Sequence, residues 1–153
     1  MKYLILFGIG LLFSCSQKRG CTNEFGSNFD RDAMVDCCCE FDVEKIISDL
    51  LGQHEMTETC SSQPNQYTIT IERNQDSNEG IIISNFNDQN TSIEANWNSD
   101  EFKLSKDFFS SDCNVEVTGS MHLNNGKVHF IYAAIPPQLC PDYAPRTCES
   151  RAL

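Results

Sequence analysis

Basic side chains are scarce in this sequence. Eleven lysines and arginines stand against 22 aspartates and glutamates over 153 residues, a net charge of −11. A nucleic acid, itself a polyanion, is excluded as a partner on that ground, and so is a polybasic grip on anionic lipid. Catalytic signatures are missing too. There is no G-x-S-x-G, no H-E-x-x-H and no phosphate-binding glycine loop. Nine cysteines contain no C-x-x-C pair, the spacing by which structural zinc sites usually announce themselves. Long apolar runs are lacking as well. The segment from Tyr3 to Phe13 is almost wholly apolar but falls short of the roughly 20 residues that a membrane-spanning helix needs. These absences lead to the expectation of a non-enzymatic protein with no cofactor.

What is present begins at the N-terminus. Met1-Lys2 gives a short positive start, and Tyr3–Phe13 has the length of a secretory apolar region. Leu12-Phe13-Ser14-Cys15 follows. This resembles the lipobox of bacterial lipoproteins, in which a small residue precedes a cysteine that is acylated before the leader is removed; Phe13 is bulkier than the usual residue there. The resemblance implies lipid, of the palmitate kind, on Cys15. Cleavage before Cys15 takes 14 residues and Lys2 from the chain. That leaves 139 residues with 10 basic and 22 acidic side chains, net −12. By resemblance to known sorting patterns, Ser16 disfavours inner-membrane retention, so the expected home is the cell envelope, at the outer membrane, with a lipid anchor and an envelope protein as the partner.

Setting Cys15 aside leaves Cys21, Cys37, Cys38, Cys39, Cys60, Cys113, Cys140 and Cys148. An even set in an exported chain reads as disulfides. Four bridges allow on the order of 100 pairings. Bonds between the adjacent Cys37, Cys38 and Cys39 are disfavoured, which makes that run a hub reaching different partners; Cys140 and Cys148 bracket a proline-rich tail and are placed to close a loop there.

Residues 15–36, polar and rich in Gly, Asn and Asp, read as a tether and irregular segment, and 37–153 as a single disulfide-rich domain. From Phe41 to Gly52 the apolar residues Val43, Ile46, Ile47, Leu50 and Leu51 share one helical face. Asp42 is placed as the N-cap, and Gly52 as the terminating residue. From Tyr67 the period becomes two. Strands are expected at Tyr67–Glu72, Ile81–Phe86, Ile93–Asn98, Phe102–Leu104, Asn114–Leu123 and Lys127–Ile135. The Asn125-Gly126 pair fits a two-residue type I′ turn. It places Leu123 opposite Val128, Met121 opposite Phe130, Gly119 opposite Tyr132 and Val117 opposite Ala134, all on one face.

The fold class is therefore mainly β (α+β), with one helix packed on an antiparallel meander of about six strands, forming a twisted sheet or partly open barrel. Between Tyr67 and Ile135 the strand rhythm, with Gly119-Ser120-Met121, looks like the calycin-type meanders of small bacterial lipoproteins.

Few residues present chemistry. The same register sets His122 opposite His129 on the outer face, a pair able to share a transition metal or to stand as two solvated strand residues. Asn74-Gln75-Asp76-Ser77-Asn78 has the opening spacing of a calcium loop, but Glu79 replaces the required glycine and Asn85 the closing glutamate; a hairpin turn fits better. Asn90-Thr91-Ser92 matches a glycosylation sequon. Trp97, Phe102, Phe108 and Phe109 serve as core or as the lining of a cavity. The functional expectation is an envelope interaction or structural module. Its rivals are a binder of an apolar ligand inside a curled barrel and an inhibitor presenting the Pro136–Cys148 loop.

Overall fold

The structure, a computed structural model, describes residues 17–60, 64–86, 90–110, 113–135 and 146–153, without the side chains of 105–110, 113–115 and 146. Cys15, Cys140 and most of the 136–148 loop lie outside the described residues, as do the side chains of Cys113, Phe108 and Phe109.

The apolar face read from Val43 onward forms helix α1, Val43–Leu50. Asp42 caps it, its carboxylate accepting the Lys45 amide at 3.1 Å and so satisfying one of the free N–H groups of the first turn. Ile46, Ile47 and Leu50 are buried. Leu51 is already extended and 43% exposed, because Gly52, at φ +122°, turns the chain directly into a strand.

Strands β1 (Arg19–Gly20) and β2 (Val35–Asp36) make a small parallel pair in the N-terminal segment. The remaining eight are β3 (Gly52–Thr59), β4 (Asn65–Arg73), β5 (Gly80–Ser84), β6 (Ser92–Asn98), β7 (Glu101–Ser110), β8 (Cys113–Asn124), β9 (Lys127–Ile135) and β10 (Arg146–Ala152). Each pairs antiparallel with its neighbours in sequence, and β10 returns to pair with β3, so the sheet is a closed barrel. The meander of about six strands is thus corrected to eight, and the partly open barrel to a closed one. The two strands without a sequence signal are β3 and β10, the pair that closes the ring. Their inward positions carry Met56, Glu58, Cys148 and Ser150 instead of an apolar alternation, so the period of two does not show.

The β8–β9 register is as the turn chemistry dictates. Asn124 pairs with Lys127, and the pairing runs through His122–His129 to Val117–Ala134. Asn125 and Gly126 have φ of +55° and +72°, the two left-handed residues of a type I′ turn. Gly119 is required by close approach. A Cβ there would stand 2.3 Å from the Ile131 carbonyl oxygen and 2.6 Å from Tyr132 Cα.

The barrel interior is filled by Ile69, Ile71, Ile81, Ile83, Ile93, Met121 and Phe130, all less than 2% exposed. One mouth is covered by α1 and the segment before it. Phe25 meets Trp97 and Phe102 edge-on, and Phe41 does the same with Trp97. Around this cluster, Glu24 accepts the Asn125 and Gly126 amides, Asn23 donates to the Asp100 carbonyl and Arg73 grips Glu44 through both nitrogens. The segment read as a tether is therefore part of the domain, with Phe25 in its core. At the other end of the barrel, Phe86 packs on Phe130 and Tyr132.

Gly119→Ala is expected to cost about 3 kcal/mol, because the clash is with backbone, which cannot rotate away. Asp42→Ala is expected to cost about 1 kcal/mol, the ordinary worth of an N-cap. Chemical denaturation of the two variants against the parent checks both values and their order.

Candidate functional site

The strongest grouping of polar chemistry lies on the outer wall of the barrel, across β7 to β10. Pairing of β8 and β9 brings the imidazoles of His122 and His129 together, with His129 Nδ1 and His122 Nε2 2.7 Å apart and ring centroids 4.5 Å apart. His129 faces Glu149 with its other nitrogen, Nε2 lying 2.7 Å from Oε1. Arg151 donates to the same carboxylate. On the far side, Glu101 opens β7 next to Phe102, whose partner is Met121, so it lies alongside His122. Glu101 accepts from Lys103 and from Ser120.

A single row therefore runs Lys103, Glu101, His122, His129, Glu149, Arg151. It sits on the side of the sheet opposite Met121 and Phe130, as the register requires, but it is not simply a solvated face. His129 is only 6% exposed. Burial, and then the neighbouring His129, push the ionisation of His122 down from the usual imidazole range, against the opposing pull of Glu101, Glu149 and Glu24. The Arg151 hydrogen bond, helped by His129, holds Glu149 below the usual carboxylate range. Burial works against the ionised form of Glu101, and the bonds from Lys103 and Ser120 outweigh it.

A second polar group is enclosed where the barrel closes. Glu58, 4% exposed, accepts from the Tyr132 hydroxyl, and Tyr67 Oη lies 3.0 Å from Ser150 Oγ. Beside them Cys60 and Cys148 are bridged. Each inward polar group there meets another, which is what burial demands of it. Sequence reading missed Glu58 because an isolated glutamate in an unassigned stretch carries no signal of burial.

Of the cysteine run, only Cys39 is bridged, to Cys21. Cys37 and Cys38 carry free thiols, so the run is not a hub, and Cys148 reaches back to Cys60 instead of closing the tail onto Cys140. Contact with Cys38, followed by burial, pushes the Cys37 thiol up. Cys38 itself has φ +61°, uncommon for a residue with a side chain. In the 74–78 turn, Asn74 Oδ1 accepts the Asp76 amide at 2.9 Å, so that oxygen is occupied by the turn. Asn90 of the sequon donates its amide to Asn85 Oδ1. Trp97 belongs to the aromatic cluster under the cap, which answers the choice between core and cavity lining for Trp97 and Phe102.

A cleft of about 580 Å³ opens where the cap meets the barrel rim, between α1, the β8–β9 turn and the end of β10. Phe25, Leu50, Leu123 and Val128 form its apolar walls, and Asp49 and Lys127 stand among the polar ones. A volume of roughly 300–1,000 Å³ suits a small molecule. Compared with known proteins, the chain matches no family model, no curated protein and no solved structure.

Maleimide labelling of the native protein is expected to modify Cys38 first and Cys37 more slowly. Peptide mapping without reductant is expected to return Cys21 linked to Cys39 and Cys60 linked to Cys148. A bridge that fragmentation of the linked peptides assigns to Cys37 or Cys38 would contradict the arrangement.

Proposed function

We propose that this chain is an exported lipoprotein, held to the outer membrane by acyl chains on Cys15, whose barrel acts as a non-enzymatic interaction or structural module of the cell envelope. The observation that carries the reading is the filled interior. The inward side chains of β4, β5, β6, β8 and β9 pack against one another with almost no exposure, and α1 with Phe25 closes one mouth. An apolar ligand inside the barrel has no room among the described residues, so binding falls to the outer surface.

Two bridges, Cys21–Cys39 and Cys60–Cys148, support an oxidising compartment, where such bonds persist. The lipobox-like Leu12-Phe13-Ser14-Cys15 supports the anchor. Burying acyl chains contributes about 0.8 kcal/mol per methylene, and two chains are needed for stable attachment. No helix among the described residues is long and apolar enough to cross a membrane. The likeness to calycin-type meanders belongs to this proposal, and the up-and-down order of the eight strands supports it. A second reading, a binder of a small amphipathic molecule, finds support in the 580 Å³ cleft at the cap rim and none inside the barrel.

Cells fed labelled palmitate are expected to attach label to the parent chain and leave a Cys15→Ala variant unlabelled and outside the membrane fraction. Label on the variant, or an unlabelled parent, would refute the anchor.

A further inference from the structure

We propose that His122 and His129 form a transition-metal site on the outer wall of the barrel, taking a borderline divalent cation of the zinc or copper class, with Glu149 as the positioning carboxylate behind His129.

The geometry starts from a hydrogen count. His129 Nε2 faces the Glu149 carboxylate at 2.7 Å. An ionised carboxylate only accepts, so in the neutral ring Nε2 carries the hydrogen and Nδ1 presents a lone pair. That lone pair points at His122 Nε2, 2.7 Å away. The two nitrogens face each other across one hydrogen, which His122 supplies. If His122 takes its other tautomer, with the hydrogen on Nδ1, two lone pairs converge on one point. A cation then replaces the hydrogen between them. The displaced hydrogen is retained on the same ring, so the exchange is balanced without loss of a proton.

The support behind this point is of the kind that metal-binding imidazoles use. Such a histidine ordinarily donates its second N–H to a carboxylate, which fixes the tautomer and the ring orientation. Glu149 does this for His129, and Arg151 in turn holds Glu149. The His129 side chain is 8% exposed, so its ring is held from both sides. His122 is only partly buried, and its ring can move and admit an ion. Metal–imidazole bonds of about 2.1 Å at a tetrahedral angle set two nitrogens about 3.4 Å apart. The rings must therefore part by roughly 0.7 Å, a small rotation of His122. The two imidazoles are the protein's ligands, and water completes the shell. Imidazole nitrogen selects zinc, copper or nickel over calcium and magnesium, and copper(II) binds tightest of these. The site does not depend on the lipid anchor.

The test uses the full chain in detergent, with Cys37 and Cys38 blocked by N-ethylmaleimide so that thiols do not compete. Zinc chloride and copper(II) sulfate are titrated separately by calorimetry at pH 7.5. One equivalent of each is expected to bind. His122→Ala, at a partly exposed position where folding is not at risk, is expected to weaken binding at least tenfold. Glu149→Gln is expected to weaken it about 10- to 100-fold, the usual effect of losing such a support, and Glu94→Gln on β6 to leave it unchanged. Copper(II) spin resonance of the parent is expected to show coupling to two nitrogens. Equal affinity in His122→Ala, no heat with either metal, or copper(II) without nitrogen coupling would each overturn the proposal.

Discussion

Closure of the sheet by β3 against β10 is the constraint on which the rest of the molecule depends. An eight-stranded antiparallel sheet left open has two edges of unpaired backbone, a standing liability. Pairing Met56–Thr59 with Glu149–Ala152 removes both. The closure is made by strands with little apolar content, so it needs other support. Cys60–Cys148 ties the two strands covalently across 88 residues of sequence. In the chain-entropy view, a loop of that length contributes about 4.6 kcal/mol by restricting the unfolded chain. Tyr132 and Tyr67 reach to Glu58 and Ser150, so these inward polar residues of the seam are satisfied within the barrel, while the Thr57 hydroxyl on the same strand is buried without a partner.

This explains which parts of the fold the sequence made legible. Helix α1 and the existence of the strands from Asn65 to Ile135 follow from period and turn chemistry, but β7 runs from Glu101 to Ser110, well past the short Phe102–Leu104 stretch that the alternation marks. The β8–β9 register needed only Asn125-Gly126 and the alternation around it, since a slip of one residue would turn Met121 and Phe130 outward. The seam was illegible for a physical reason. Glu58, Cys148 and Ser150 are inward residues whose burial is compensated by particular partners, not by apolar surface, and those partners lie 74 to 88 positions away. Cys37 and Cys38 illustrate the same limit. Counting cysteines yields an even set, but only the path of the chain through β2 and past Asp36 decides that Cys39, and neither neighbour, meets Cys21.

The candidate site divides along the same line. Pairing of His122 with His129 follows from the hairpin, because both residues lie on the two strands that one turn registers. Glu149 does not. It arrives on β10, which the sequence did not reveal as a strand, and with it comes the change from two histidines on a wet surface to a pair in which His129 is buried. The burial of His129 is thus a product of ring closure: without β10 its Nε2 would face water.

A polar row on the outside of a barrel with a buried histidine at its centre asks for its own account. The interior, filled by isoleucines and aromatics, does the work of stability, and the cap seals one mouth through Phe25, Phe41 and Trp97. Neither contribution depends on what the outer wall carries. Burying the His129 imidazole and part of His122 there costs free energy that an apolar or fully solvated row would not. The seam residues offset that cost by sealing the barrel, but the row seals nothing. Its groups are held in order by one another, with Arg151 and Lys103 at the two ends and the single shared hydrogen at the centre. That makes the outer wall between β7 and β10, and not the barrel's interior, the part of the molecule whose composition packing of the core does not require.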